Sequence, residues 1–363
     1  MIKYLGSKRT LIPVILDTVR RVKDARSVLD LFSGTSRVGH ALKAAGYQVF
    51  ANDHNAYAAT LARCYVQADA EDVLDDARKL VDELNRLKGE PGYFTETFCV
   101  QSRFFQPKNG ERIDAIREAI ANKGLDPELE AVMLVSLMEA ADRVDSTTGL
   151  QMAYLKSWAP RAYNDLELRV PEVLPRAKHG KGRASQLDAF EAAKALEADI
   201  AYIDPPYNQH SYLGNYHIWE TLVRWDKPEV YGVACKRIDV RERKSVFNSK
   251  RQFASAMQEL LASVRAEVLV VSFSNEGYLG REEMEGILRG LWGGEARVTT
   301  IVNPFKRYVG AQIGIYNPKG EKVGKVSHLS NEEYIYVASR QCLARELEPL
   351  RRRNEAEQLG LFG

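Results

Sequence analysis

Short apolar runs alternate with helical stretches along the first third of this chain. Residues 27–32 are almost wholly apolar and end in a Ser-Gly-Thr-Ser turn, the pattern of a buried parallel strand. Residues 37–45 then read as a helix closed by Gly46, and 48–51 as a second strand ending at Asn52-Asp53. From Ala56 the chain turns helical again. Strand, glycine turn, helix, strand and acidic residue form a βαβ nucleotide-binding unit. From about Ala68 the sequence is charged and helical, until Gly89-Glu90-Pro91-Gly92 breaks the pattern. Residues 93–183 hold helical runs at 112–121 and 127–141, then become irregular and basic with Pro160, Pro171, Pro175, Gly180 and Gly182. This segment reads as an insertion that splits an α/β domain. The α/β pattern resumes with a strand at 199–203, a helix at 253–266 and a strand at 267–273. Strands at 297–301, 312–316 and 334–338, with a turn at 317–320, suit antiparallel strands closing a mostly parallel sheet. The expected fold is α/β: a doubly wound, mostly parallel sheet carrying an inserted, largely helical domain. The expected parts are 1–85, an insertion at 86–183, a continuation at 184–345 and a charged tail at 346–363.

Composition narrows the class without naming it. A hydrophobic fraction of 45% and a charged fraction of 28% over 363 residues exclude disorder, collagen and small disulfide scaffolds. Net charge is only +2, so any polyanionic partner must be read from local clustering. Cys64, Cys99, Cys235 and Cys342 are widely spaced, with no C-x-x-C pair, which suits a reducing cytosol. The first ten residues are charged where a signal peptide needs an apolar run. No apolar stretch approaches the roughly 20 residues that span a bilayer. The reading is a cytoplasmic protein without a membrane partner.

Two strand ends carry candidate chemistry, because ligands of open α/β sheets bind beyond the carboxyl ends of the strands. Gly34, in the turn from Asp30 to Thr35, lets a ligand approach the backbone, and the following helix presents free N–H groups. Asp53 ends the next strand, where an acidic residue can accept both hydroxyls of a ribose. A nicotinamide dinucleotide would share that acid, but the G-x-G-x-x-G turn for a pyrophosphate is missing. A cofactor with a ribose and no phosphate fits better, and S-adenosylmethionine is one.

Asp204-Pro205-Pro206-Tyr207 is the sharper signal. Two prolines after a strand remove two N–H donors and fix φ, so the segment leaves the sheet as a rigid loop. In it the Asp carboxylate and a proline carbonyl can both accept from one amino group, while Tyr207 offers a flat face for a base. A Pro-rich strand terminator with an incidental acid and aromatic is the plain alternative.

These residues resemble the Dam-like class of S-adenosylmethionine-dependent DNA adenine-N6 methyltransferases. The class's D-P-P-Y motif is present as Asp204, Pro205, Pro206 and Tyr207. Its F-x-G-x-G cofactor motif matches Phe32-Ser33-Gly34-Thr35-Ser36, with Asp30 before it, and its K-W-x-G-G-K motif resembles Lys3-Tyr4-Leu5-Gly6-Ser7-Lys8. Ser36 and Ser7 stand where the class has glycine, and Tyr4 where it has tryptophan. The resemblance covers residues 1–65 and 184–340, and implies a Rossmann-like methyltransferase domain with a target-recognition domain within 86–183. It further implies that Asp204 and Pro205 hold the amino group while Tyr207 stacks on an adenine flipped out of double-stranded DNA. Tyr4 and Phe32 would lie over the methionine part of the cofactor and Lys8 would meet its carboxylate. Gln186, Leu187 and Asp188 would line its adenine. A cognate restriction endonuclease is a further implied partner; oligomerisation is not implied.

DNA contacts are expected from charge. Residues 224–251 hold nine basic against four acidic residues, net +5, interleaved with aromatics. Arg224, Lys236, Arg237, Arg241, Arg243 and Lys244 are the candidates, with a solvated loop over an aromatic core as the alternative. The six histidines form no H-x-x-x-H or H-E-x-x-H pair, so no metal site is expected. Rival readings keep the fold but change the acceptor to cytosine N4 or an RNA base, or keep DNA binding and lose catalysis.

Overall fold

The apolar runs pair into one seven-stranded sheet. In the computed structural model, which describes residues 1–6, 8–209, 211–306 and 330–340, its strands are β1 (Ser27–Asp30), β2 (Gln48–Asn52), β3 (Arg183–Ser185) and β4 (Ile200–Ile203). A two-stranded hairpin, β5 (Val230–Tyr231) and β6 (Lys236–Arg237), stands apart from the sheet. The sheet is completed by β7 (Val268–Ser274), β8 (Arg297–Lys306) and β9 (Ser330–Ser339). Its order is β3-β2-β1-β4-β7-β9-β8. The first five of these are parallel, and β9 runs antiparallel to both β7 and β8. The expected strand at 312–316, its turn at 317–320 and the tail at 346–363 lie outside the described residues.

The strands are apolar at consecutive positions because both faces of the sheet are covered. Val28, Ile200, Val268 and Val270 point to a core under the helices Ile12–Arg20 and Arg37–Ala44. Their neighbours Leu29, Ala201, Leu269 and Val271 join the opposite core, under the helices Ala189–Ala195, Phe253–Ser263 and Arg281–Arg289. Alternation of period two with apolar residues in both phases is the signature of a doubly covered strand. Each fully buried Val or Leu contributes about 1.5–3 kcal/mol.

A third core joins segments that are remote in sequence. The helices Pro107–Asn122 and Pro127–Val144 share it with Ala56–Ala62, Ala70–Asn85 and His217–Arg224. The helical segment expected as an insertion therefore packs into a core continuous with its flanks. Both of its long helices open with proline in the first turn, where a missing N–H costs nothing, and Asp126 caps the second by accepting from the Glu128 N–H. The far end of that second helix fastens the N-terminal segment. The Lys3 N–H donates to Asp142 Oδ2 at 3.0 Å, and Lys3 Nζ donates to the Asp142 carbonyl at 2.6 Å and to Asp145 Oδ1 at 2.8 Å. Tyr4 and Lys8 are thereby held over the carboxyl ends of β1 and β4. Strand order reverses between these two strands, so a crevice opens there.

Candidate active site

The turn after β1 is clamped by two carboxylates, the buried Asp30 and the half-buried Asp53. Asp30, 1% exposed, accepts the Gly39 N–H on Oδ2 at 3.1 Å, while its Oδ1 has no hydrogen-bond partner among the described residues. Asp53 Oδ2 accepts the Gly34 N–H at 3.0 Å and Oδ1 the Asn55 N–H at 2.9 Å. Gly34 has φ +50°, and a Cβ there would stand 3.4 Å from the Tyr4 hydroxyl. Burial drives both carboxyls up: Asp30 to about 7, with Asp204 adding to the rise against the Gly39 hydrogen bond. Asp53 rises less far above its ordinary range, because the Asn55 and Gly34 N–H groups oppose the effect of burial.

Ser36 has φ +59°, a left-handed conformation that glycine adopts without strain, and its fully buried Oγ has no hydrogen-bond partner among the described residues. Ser36→Gly is therefore expected to raise stability by about 1 kcal/mol, measured by denaturant unfolding. A loss of stability would show that the serine hydroxyl is used.

Asp204 leaves the end of β4 beside this turn, followed by the buried Pro205 and by Pro206, neither of which carries an N–H. The Lys8 ammonium, 7% exposed, lies 3.2 Å from Asp204 Oδ1 and 3.3 Å from Glu333 Oε2. Burial raises the Asp204 carboxyl to about 6, with Lys8 pulling it down and Glu333 pushing it up. Burial alone would lower Lys8, but Asp204 and Glu333 outweigh it and hold the ammonium well above its ordinary range. Tyr207 packs edge-on against Phe273 at 5.5 Å, with Lys8 Nζ 5.8 Å from its ring centre.

Aromatic rings wall the crevice. Tyr4 stacks on Tyr212 at 5.2 Å and on Tyr216 at 4.5 Å, and its hydroxyl is 3.2 Å from that of Tyr57. Across the cleft, Phe32 meets Phe247 edge-on at 5.5 Å, and Phe190 stacks on Phe247 at 5.8 Å. The cleft, open to solvent on one side, measures about 390 Å³. It is lined by Tyr4, Lys8, Asp30, Phe32, Ser33, Gly34, Thr35, Asp53, Asp188, Asp204 and Pro206 among the residues singled out in the sequence. Ser36, Gln186, Leu187, Pro205 and Tyr207 adjoin it without lining it. The Leu187 N–H donates to Asn52 Oδ1 at 3.0 Å, Gln186 Nε2 donates to the His54 carbonyl at 3.4 Å, and Asp188 caps a helix by accepting from the Phe190 N–H at 2.9 Å.

The basic candidates divide. Lys244 is exposed and lines the cleft; Arg243 also lines it, with Nη1 2.9 Å from Glu220 Oε1. Arg241 is exposed and lies 3.9 Å from the centre of the Tyr231 ring. Arg224 is exposed beside Asp226 and Asp239, and Lys236 is half-buried in β6. Arg237 is turned inward: it is 1% exposed, and its guanidinium grips Asp226 at 2.6 and 2.7 Å and Asp239 at 3.1 and 3.2 Å. Its guanidinium is committed to these two acids, so Arg237 differs from the exposed candidates in offering almost no accessible surface.

Sequence reasoning missed several residues of the site. Glu333 and Glu220 each carry a common acidic side chain with no motif around it. Gly39 has a backbone N–H that matters, and an added Cβ there would lie 2.8 Å from Val66 and 3.2 Å from Asp30 Oδ2. Among the described residues, no helix is long and apolar enough to cross a membrane, and no group of three or more His, Cys, Asp or Glu could hold a metal ion.

Comparison with known proteins gives the family of the chain. The chain is 32% identical over 305 residues to Type II methyltransferase M.FokI of Planomicrobium okeanokoites, a match covering 79% of this chain and 46% of that protein. It is 29% identical over 326 residues to modification methylase StsI of Streptococcus sanguinis, covering 84% and 48%. To Type II methyltransferase M.NlaIII of Neisseria lactamica it is 27% identical over 347 residues, covering 92% and 97%. The chain thus spans about half the length of the first two relatives and nearly all of the third. The family described as D12 class N6 adenine-specific DNA methyltransferase matches residues 4–274, from the N-terminal lysine motif through the D-P-P-Y strand to the end of β7, and the chain belongs to it.

Proposed function

We propose that this protein transfers a methyl group from S-adenosylmethionine to the N6 amino group of adenine within a specific sequence of double-stranded DNA, the base being rotated out of the duplex. The observation that carries this reading is the convergence of Asp204 and Pro206 with the Gly34 turn in one cleft. The cofactor, when bound, supplies an electrophilic sulfonium methyl. Several features of the cleft suit it. The buried Asp30 Oδ1 and Ser33 Oγ have no hydrogen-bond partner among the described residues, and the carboxylates of Asp30, Asp53 and Asp204 favour a cationic group. Asp53 would hold the ribose hydroxyls, Phe32 and Tyr4 the methionine part, and Asp188 with the preceding Gln186 and Leu187 the adenine. Asp204 and Glu333 take two of the three ammonium donors of Lys8, and the third is left to meet the cofactor's carboxylate.

An exocyclic amino group is a poor nucleophile because its lone pair is delocalised into the ring. The Asp204 carboxylate and the Pro205 carbonyl would accept its two hydrogens and favour a tetrahedral nitrogen with its lone pair free to attack. As the C–N bond forms, the sulfonium C–S bond would break, a neutral thioether would leave, and the extra proton on nitrogen would be released through the Asp204 carboxylate. Holding the two reactants in line can supply roughly 7–11 kcal/mol of the barrier. Tyr207 stacks on the base. Arg224, Lys236, Arg241, Arg243 and Lys244 meet the phosphates, and base readout falls to residues within 86–183. A restriction endonuclease of matching specificity is the proposed biological partner.

Asp204 must be ionised to accept. With its carboxyl raised to about 6, the single-turnover rate should fall as pH drops through that value. Protonation of Asp30, raised to about 7, is the other ionisation on this limb. A rate unchanged down to about pH 5 would exclude Asp204 as an essential acceptor anion.

The reading is tested by transfer of labelled methyl from S-adenosylmethionine to mixed-sequence duplex DNA, matched RNA and protein, followed by digestion to nucleosides. N6-methyladenine in DNA is the expected product. Label in N4-methylcytosine or in RNA would overturn the acceptor, and tight DNA binding without label would favour an inactive binding module.

A further inference from the structure

The antiparallel strand β9 carries an acid into the catalytic end of a parallel sheet. Because β9 runs opposite to β7, its early residues lie beside the carboxyl end of that strand, with Glu333 registered against Ser274. From there Glu333 Oε2 reaches Lys8 Nζ at 3.3 Å, and the same ammonium reaches Asp204 Oδ1 at 3.2 Å. Segments around positions 8, 204 and 333 thus meet on one buried nitrogen. Glu333 is 9% exposed and Lys8 7% exposed, so water does little to screen the arrangement. An ammonium devoted to Asp204 alone would neutralise the anion that has to accept from the amino group.

We infer that Glu333 is a positioning residue for methyl transfer: by sharing the Lys8 ammonium, it holds Lys8 in place and keeps Asp204 a strong hydrogen-bond acceptor. The inference rests on the proposed function above and adds a residue to it. The other groups facing Asp204 are Asp30, Tyr202, Tyr207 and Tyr212. All of them remain in a Glu333 variant, so the difference between variants reports Glu333 itself. Glu333 raises the Asp204 carboxyl and Lys8 lowers it. Removing the Glu333 charge leaves Lys8 paired with Asp204 alone, and both changes make Asp204 more acidic.

The test compares wild type, Glu333→Gln and Glu333→Asp by two measurements. The first is titration of Asp204 in protein carrying ¹³C-carboxyl aspartate, with Asp204→Asn assigning the resonance; it needs neither cofactor nor DNA. The second is single-turnover methylation of duplex DNA across pH. Glu333→Gln is expected to titrate Asp204 at lower pH, to move the acid limb the same way, and to lower kcat about tenfold with KM little changed. Glu333→Asp, which keeps the charge, is expected to retain the wild-type limb. An Asp204 titration unchanged in Glu333→Gln would overturn the inference, as would a variant that only melts earlier with its rate and limb intact. A wild type that titrates as described but methylates nothing would instead defeat the proposed function.

Discussion

Asp204→Ala is expected to lower single-turnover methyl transfer by about a thousandfold, with S-adenosylmethionine binding changed only a few-fold. The change removes the acceptor that polarises the amino group. It also leaves the nearly buried Lys8 ammonium, 7% exposed, facing the reacting nitrogen with only Glu333 to balance it. A positive charge at that place opposes approach of a sulfonium. Asp204→Asn keeps the volume and one acceptor oxygen but not the negative charge, so it is expected to lose nearly as much. Comparing the two variants separates the charge from the shape. Rate constants from enzyme in excess over DNA, with equilibrium dialysis for the cofactor and thermal unfolding as a check on the fold, make the measurement. Transfer by Asp204→Ala within tenfold of wild type would remove Asp204 from the mechanism.

What the sequence disclosed and what it concealed follow from the range of the interactions involved. β1 and β7 are legible because strands covered on both faces are apolar at consecutive positions, as Val28-Leu29 and 268–271 are. The Gly34 turn and the D-P-P-Y segment were legible because their chemistry is written in consecutive residues. Glu333 was not: an acidic residue heading a strand reads as solvated, and only the antiparallel pairing with β7 carries it to Lys8. Lys8 itself lay in a recognisable motif, yet its partners come from positions 204 and 333. The Gly/Pro break at 89–92 suggested a boundary, whereas the helices beyond it share a core with Tyr57, Leu61, Tyr216 and Trp219. A local breaker marks where a helix stops and says nothing of what the next helix packs against. In the same way Ser36 broke the glycine pattern in the sequence, and its left-handed φ shows that the backbone still takes the glycine conformation there.

Arg237→Ala is expected to destabilise the fold by about 3 kcal/mol while leaving the salt dependence of DNA binding as it is. In a run of nine basic residues, this one looked like part of a phosphate track. Its surroundings commit it to acids: Nη1 and Nη2 form a forked pair with Asp226, Nε and Nη2 reach Asp239, and Nη1 approaches Thr221 Oγ1 at 3.4 Å. Truncation would leave two acids crowded together with their shared cation gone, and a void where a 1% exposed side chain had packed. Lys244→Ala makes the contrast. Lys244 is exposed at the cleft, so its loss should not alter unfolding, but should reduce the slope of log K against log salt by about one for one lost phosphate contact. Denaturant unfolding and DNA binding across a salt series, on both variants, separate the two roles. A stable Arg237→Ala protein with a shallower salt slope would place Arg237 on the DNA-binding surface. Loss of stability with the slope intact would show that charge density along a sequence overstates the DNA-facing surface wherever acids such as Asp226 and Asp239 fold back onto the arginines.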